Sequence, residues 1–239
     1  MLKALFYPAG TKDKPIPFDS LYIPWIYKEI YFDGIYTDIL NQKKDMVILD
    51  VGANIGVVTQ HMRDYAKKLY AIEPSPEHFE ALLKNKTFNK WDNVEVFNVA
   101  MADTNGEMEF SQNDFNRTMN TLVVGKQKDN GRYEVKGETD FDMGTAVPYT
   151  QGLKVKTVAF DSFMEENNID SVDFVKFDVE GAEDMILRSE GFKKVAPKIK
   201  AIEVEMHYPT WTKLVEYMIS LGFTARRYDC SAIVVLFTR

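Results

Sequence analysis

Cysteine is nearly absent, Cys230 standing alone in a chain of 239 residues. A single thiol closes no intramolecular disulfide, so a disulfide-held secreted scaffold is excluded and a reducing, cytoplasmic setting is expected. Long apolar runs are missing as well. Met1 to Gly10 holds no sustained apolar stretch, and the longest late run, Ala232 to Phe237, falls far short of the roughly 20 residues that a membrane-spanning helix needs. A soluble chain without a membrane span is expected. Positive charge is in deficit: 29 Lys and Arg face 36 Asp and Glu, a formal net charge of −7. Phosphate backbones want clustered cations, so no nucleic-acid partner is expected, and pairs such as Lys67-Lys68 and Arg226-Arg227 read as solvated faces. Linkers, repeats and low-complexity tracts are lacking too, which points to one domain over 1–239 with a sizeable core.

What the chain does have is Val47-Ile48-Leu49-Asp50-Val51-Gly52-Ala53-Asn54-Ile55-Gly56, an apolar strand running through Asp-x-Gly-x-x-x-Gly into a helix. Gly52 and Gly56 lack a Cβ, so the chain turns tightly there and brings its backbone against a nucleoside-bearing ligand. The acid before the first glycine narrows the choice. A dinucleotide's pyrophosphate at a helix N-terminus wants no negative neighbour, and a nicotinamide enzyme would carry Gly-x-Gly-x-x-Gly. Asp50 suits a ligand with positive charge, and S-adenosylmethionine, bearing an ammonium and a sulfonium, is the candidate. Lys68 to Pro74 then reads as a second parallel strand ending in Glu73, about 20 residues past the glycines, where a carboxylate accepts two ribose hydroxyl hydrogen bonds.

Along the rest of the chain, helical and strand patterns alternate. Phe18 to Leu40, rich in aromatics and Ile with charges interleaved, reads as a lid or edge element within an N-terminal segment 1–44. A helix is expected over Pro76 to Asn89 with Ser75 as N-cap, then a strand over Asn93 to Ala100 and a turn at Asp103-Thr104-Asn105-Gly106. Glu107 to Leu153, rich in Gly, Asn, Asp and Thr, breaks the rhythm as an inserted loop or β excursion. A strand over Lys154 to Val158 follows, then a helix capped by Asp161, and a strand from Val172 to Asp178. The next helix spans about Ala182 to Ser189 with Gly191 as its C-cap. A strand over Ile199 to Met206, a helix over Trp211 to Leu221 closed by Gly222, and a hairpin of Phe223 to Tyr228 with Ala232 to Thr238 end the chain. The count specifies an α/β fold: a doubly wound, mostly parallel sheet with an antiparallel C-terminal hairpin at its edge.

A second charged neighbourhood follows the apolar strand in Phe174-Val175-Lys176-Phe177-Asp178-Val179-Glu180-Gly181-Ala182-Glu183. In a doubly wound sheet this strand lies beside the first, so Asp178 emerges next to the glycine loop at the switch point where ligands bind. The following strand repeats the design, with Glu203, Glu205 and His207 spaced by two and leaning to one side. Glu183, and in part Glu180, fit a helix N-terminus favoured by the macrodipole. Asp178, Glu205 and His207 are the candidate chemistry, since charge crowded at adjacent strand ends is costly without a ligand. An unperturbed imidazole titrates at about 6.5, so His207 suits a general base oriented by Asp178 or Glu205. The same three also suit a divalent cation such as Mg or Mn, with base catalysis ranked slightly ahead. Lys176 reads as a strand residue paired with a neighbouring acid.

Taken together, DVGANIG, AIEPSP, the Asn98-Val99-Ala100 strand end, FVKFDVEGAE and the later VEMH resemble the FkbM family of S-adenosylmethionine-dependent methyltransferases, over roughly Glu29 to His207. The resemblance implies the class I, Rossmann-like methyltransferase fold and transfer of a methyl group to a hydroxyl of a sugar, glycan or similar small molecule. It also implies that Asp50, Gly52, Ala53, Asn54 and Gly56 line the methionine end, that Glu73 holds the ribose and that Asp178 sits beside the methyl. Asn98 and Ala100 close the cofactor contacts. Many methyltransferases carry an acid at the Ala100 position to bind the adenine amino group, so here Asp103 or backbone groups would serve. A nucleic-acid amino-methyltransferase would show Asn/Asp-Pro-Pro-aromatic where this chain has Asp178-Val179-Glu180-Gly181, and a non-catalytic binding protein would not need the charges around Asp178.

Overall fold

The computed structural model describes residues 4–6, 16–18, 30, 35–113, 121–122, 125–127, 133–135, 149–207, 211–228, 230 and 232–239. In chain order, β1 (Ala4–Phe6) pairs antiparallel with β2 (Ile16–Phe18), and α1 (Thr37–Leu40) leads into β3 (Met46–Val51). Then come α2 (Val57–Met62), β4 (Ala66–Ile72), α3 (Pro76–Asn89), β5 (Val94–Phe97), β6 (Ala100–Ala102) and β7 (Gly106–Asn113). Three short strands follow, β8 (Thr121–Leu122), β9 (Gly125–Gln127) and β10 (Tyr133–Val135). The second half runs β11 (Tyr149–Ala159), α4 (Phe160–Glu166), β12 (Val172–Phe177), α5 (Glu183–Leu187), α6 (Glu190–Val195), β13 (Ile199–Glu205), α7 (Trp211–Ser220), β14 (Thr224–Arg227) and β15 (Val234–Thr238).

The main sheet has seven strands in the order β14-β15-β13-β12-β3-β4-β5, with β15 antiparallel to both neighbours and the rest parallel. Its central strands bury apolar residues on both faces because helices cover both. Leu49, Val51, Val175, Phe177, Ile202 and Val204 face a core shared with Phe160, Ile186, Phe192 and Met218. Ile48, Phe174 and Ala201 face the other, with Ile35, Tyr36, Ile39 and Leu40 and with Val57, Val58 and Met62 of α2. The end of the expected N-terminal lid is therefore packed on the sheet, Tyr36 meeting Phe174 edge-on at 6.5 Å. Residues 19–29 and 31–34 of that segment lie outside the described residues.

Register places chemistry in rows. Ala71, Asp50, Lys176, Glu203 and Leu236 are neighbours across β4, β3, β12, β13 and β15, so Asp50, Lys176 and Glu203 share one face. All three are buried.

Three local expectations are corrected. The strand expected over Asn93 to Ala100 is two: β5 ends at Phe97, and β6 joins a second sheet of order β6-β11-β7-β8. Within Glu107 to Leu153, read from sequence as an inserted loop or β excursion, β7 and the first residues of β11 pair antiparallel. Alternation of Glu107, Met108, Glu109 and Phe110, with Phe110 buried, is the period-two signal beneath the polar composition. The remainder of that stretch, apart from β8, β9 and β10, lies outside the described residues. Asp161 is not the N-cap of α4, a place taken by Ala159, and Gly191 is not a C-cap but lies inside α6. A Cβ on Gly191 would stand 2.7 Å from Asp161 Oδ1, so this glycine serves the close approach of two helices. Ser75, by contrast, does cap α3, accepting from the His78 N–H at 3.4 Å.

Candidate active site

The glycine loop is built by contact as much as by turning. Gly52 has φ +81°, and a Cβ there would lie 1.7 Å from the Asp178 carbonyl oxygen, so only glycine lets the two strand ends meet. Gly56, at φ +93°, opens α2 where a Cβ would strike Leu82 at 2.6 Å and Trp91 at 2.9 Å. Asn54 takes a left-handed φ of 51° between them, a conformation Asn tolerates better than most residues. The N–H groups of Gly52 and Ala53 both donate to the Ile72 carbonyl at 3.0 Å, which ties the loop to β4.

Glu73 holds that loop from the next strand. Its Oε2 accepts from the Asn54 N–H and its Oε1 from the Ser75 N–H, both at 2.8 Å. Burial raises its pKa to about 7, against the lowering effect of these two donors. Asn98 completes the clasp, its Nδ2 donating to the carbonyls of Glu73 at 3.0 Å and Pro74 at 3.1 Å. Ala53 and Ala100 are buried, and Ala100 belongs to β6 of the second sheet. Asp103 is exposed at the bend between β6 and β7, where it accepts from Thr104 Oγ1 at 3.3 Å.

Asp50 lies beneath the loop and not on its surface. It is 0% exposed, its Oδ2 accepts from Thr59 Oγ1 at 2.5 Å, and burial raises its pKa. The neighbouring cation is Lys176, whose Nζ stands 3.7 Å from Asp50 Oδ1 and 3.3 Å from Asp178 Oδ2 and donates to the Gly52 carbonyl at 2.7 Å. Tyr36, Lys176, Asp178, Glu203 and Glu205 bound a cavity of about 10 Å³, room for one water.

Beside the loop, one imidazole meets four carboxylates. His207 Nδ1 is 2.8 Å from Glu183 Oε1, while Nε2 is 3.4 Å from Glu180, 3.8 Å from Glu205 and 3.9 Å from Asp178 Oδ1. Glu183 is 1% exposed and also accepts from the Gly181 N–H at 3.0 Å. Asp178 Oδ1 is buried without a hydrogen-bond partner among the described residues. Burial alone would lower the His207 pKa, but the Glu183 hydrogen bond and the surrounding carboxylates lift it to about 11. Burial and the Asp178 charge push Glu180 up to about 8. These carboxylates favour the imidazolium form of His207 at neutral pH, so a role as general base needs a ligand that lowers its proton affinity.

The structure thus brings together Asp178, Glu205 and His207, and adds two residues whose charges the sequence pattern ascribes to helix electrostatics. Glu180 sits two residues past Asp178 with a left-handed φ of 54°, and Glu183 opens α5. The signal for Glu180 was the Glu-Gly pair, a place where backbone departs from helix and strand alike. Asp178, Glu180 and His207 each offer a donor atom, all within 4.8 Å of one another. No helix among the described residues is long and apolar enough to cross a membrane.

Comparison with known proteins gives the family. Residues 50–225 match the family described as the methyltransferase FkbM domain. The chain is 30% identical over 177 residues to methyltransferase sdnD of Sordaria araneosa, covering 69% of this chain and 67% of that one. It is 26% identical over 168 residues to the 2-O-methyltransferase NoeI of Sinorhizobium fredii, covering 70% of this chain and 65% of that one. In fold it is similar to an rRNA methylase from Streptococcus thermophilus, with a TM-score of 0.50 at 12% identity over 84% of this chain and 92% of that one. A seven-stranded class I sheet, a glycine loop pressed against an acidic strand end, and a family match across both make the chain a member of the FkbM methyltransferases, which take their methyl group from S-adenosylmethionine.

Proposed function

We propose that the protein is an O-methyltransferase that methylates a hydroxyl of a sugar, glycan or similar small molecule. The observation that carries this reading is the contact of Gly52 with Asp178, which sets a cofactor loop against a cluster of carboxylates and one imidazole at adjacent strand ends. The resemblance to a relative named as a 2-O-methyltransferase points the same way for the acceptor. The net charge of −7 favours a small acceptor over a nucleic acid.

The residues fit the cofactor. Gly52, Ala53, Asn54 and Gly56 supply the close backbone approach, Glu73 and Asn98 hold the loop and place a carboxylate for the ribose, and the excess of acids over Lys176 and His207 suits a cationic ligand. S-adenosylmethionine supplies an electrophilic methyl on a sulfonium. For the protein's part, Asp178, Glu205 and His207 receive the acceptor hydroxyl and its proton, and holding that oxygen in line supplies much of the rate. Positive charge arriving beside Asp178 lowers the proton affinity of His207, which makes it available as the acceptor's base.

A second reading has a specific observation in its favour. Glu183 anchors Nδ1 of His207, which leaves Nε2 facing Glu180 and Asp178, the arrangement by which a carboxylate orients a metal-bound histidine. In that reading Asp178, Glu180 and His207 hold Mg or Mn, a Lewis acid that makes a bound hydroxyl more acidic. Glu180 then replaces Glu205 in the ligand set expected from sequence.

Calorimetry with S-adenosylmethionine and NAD, followed by a screen of sugars and glycans that counts S-adenosylhomocysteine released, tests the reading. Saturable binding of S-adenosylmethionine alone and turnover on a hydroxyl acceptor are expected. NAD binding without an S-adenosylmethionine signal would sink it.

A further inference from the structure

We propose that Lys176 is a specificity-determining charge of the cofactor pocket, one that weakens the pocket's preference for a sulfonium ligand over its uncharged thioether product. The inference rests on the cofactor reading above and concerns a residue that reading counts only in its charge balance.

Lys176 lies in the buried row between Asp50 and Glu203 and is 5% exposed. A lysine spends its hydration to reach such a place, and neighbouring carboxylates compensate it. Here Asp178 and Asp50 stand at 3.3 Å and 3.7 Å from Nζ, and Glu205 adds attraction from the next strand. The ammonium therefore stays charged. Nζ also donates, at 2.7 Å, to the carbonyl of Gly52, the residue that touches Asp178. The cation is thus placed where the glycine loop and the acidic strand end meet.

That position has a consequence for the reaction. S-adenosylmethionine carries one more positive charge than S-adenosylhomocysteine, and the charge disappears as the methyl leaves sulfur. A pocket holding Asp50 and Asp178 without a cation would grip the reactant most tightly and lose that grip in the transition state, which raises the barrier. Lys176 offsets part of the acidic field and limits this loss. If Lys176 merely braced Gly52, removing it would weaken reactant and product alike. If it acts through charge, the ratio of the two affinities must move.

Isothermal titration of S-adenosylmethionine and S-adenosylhomocysteine, with chelator present so that no metal contributes, reads that ratio without turnover. In Lys176→Met and in Lys176→Gln, whose amide keeps a donor for the Gly52 carbonyl, preference for S-adenosylmethionine should rise about tenfold. Lys176→Arg should restore the parent ratio. Asp178→Asn should move it the opposite way, and it keeps the inference testable if both neutral Lys176 variants fail to fold. An unmoved ratio in the neutral variants that fold, or in Asp178→Asn, overturns the inference while leaving the cofactor assignment intact. A parent protein that binds neither ligand overturns both.

Discussion

The two ends of the central strands carry opposite charge designs. At the amino ends, Asp173 is closed in by Lys200 at 2.7 Å, Lys43 at 2.8 Å and the Val47 N–H at 2.9 Å. Despite a desolvation cost, these donors hold its pKa down to about 2. At the carboxyl ends, Asp50, Asp178, Glu180, Glu183 and Glu205 share Lys176 and His207, and Glu180 is pushed up to about 8. One end is a satisfied knot that needs nothing further. The other holds more acid than its own cations balance, and such an imbalance is costly unless a ligand completes it. The same sheet supports both, so the difference marks where binding energy is spent.

Breaking the acidic end at its centre should have the largest effect. His207→Ala is expected to lower the turnover number by about 10²–10⁴ while leaving affinity for S-adenosylmethionine nearly intact. Full activity, with no response of the parent enzyme to chelator, would make His207 structural. If chelator abolishes activity and Mn or Mg restores it, the cation reading holds and Glu180→Ala should lose metal affinity where Glu205→Ala does not.

Next in size is the loop clasp. Glu73→Ala removes the acceptor of the Asn54 and Ser75 N–H groups and should weaken cofactor binding by about 1–3 kcal/mol. Unchanged affinity measured by calorimetry would take Glu73 out of the pocket. The clasp also predicts a pH dependence. Burial raises the Glu73 pKa to about 7, above the unfolded carboxylate, so its contribution to stability is greatest in acid and declines as pH rises from the unfolded value towards 7. Denaturant midpoints of the cofactor-free protein should show that decline, and Glu73→Ala should flatten it.

A similar signature belongs to His207, with the sign of a base. Its folded pKa of about 11 exceeds the unfolded value, so its stabilisation is complete below about pH 6.5 and is lost as pH rises through 11. Glu183→Gln removes the charge nearest Nδ1 and should shift that loss to lower pH. An unshifted profile would mean that Glu180, Glu205 and Asp178 hold the proton without Glu183.

Much of this was legible in the sequence where a residue's role follows from its place in a repeating pattern. The β-α alternation placed the Asp178 strand between those of Asp50 and His207, and with it the meeting of Asp178 and His207. Ser75, Gly222 and the terminal hairpin were readable because caps and turns are local chemistry. What was not legible depended on how elements pack. Gly191 looked like a helix terminator, but its missing side chain makes room for Asp161 of another helix. Glu183 looked like a macrodipole charge, and only the fold brings His207, 24 positions later, against it. The alternation of β7 was present in the letters, beneath a polar composition that left loop and β excursion both open.

The smallest expected effect lies at the amino ends and is the control for the comparison. Asp173→Asn leaves the backbone donor and both lysines without a full negative charge. A pKa depressed to about 2 corresponds to stability present above the unfolded value of about 3.8 and lost as pH falls towards 2. The two lysine side chains are 50% and 62% exposed, so solvent screening cuts the benefit to about 1 kcal/mol. Urea unfolding should therefore show Asp173→Asn less stable than the parent by that amount at pH 7 and equal to it near pH 2. Affinity for S-adenosylmethionine should not change, because the substitution touches the end of the strands that is already balanced. A variant that lost cofactor binding with its fold intact would break the division between the two ends, and the carboxyl-end acids would then have to be read as part of one charge network running the length of the sheet.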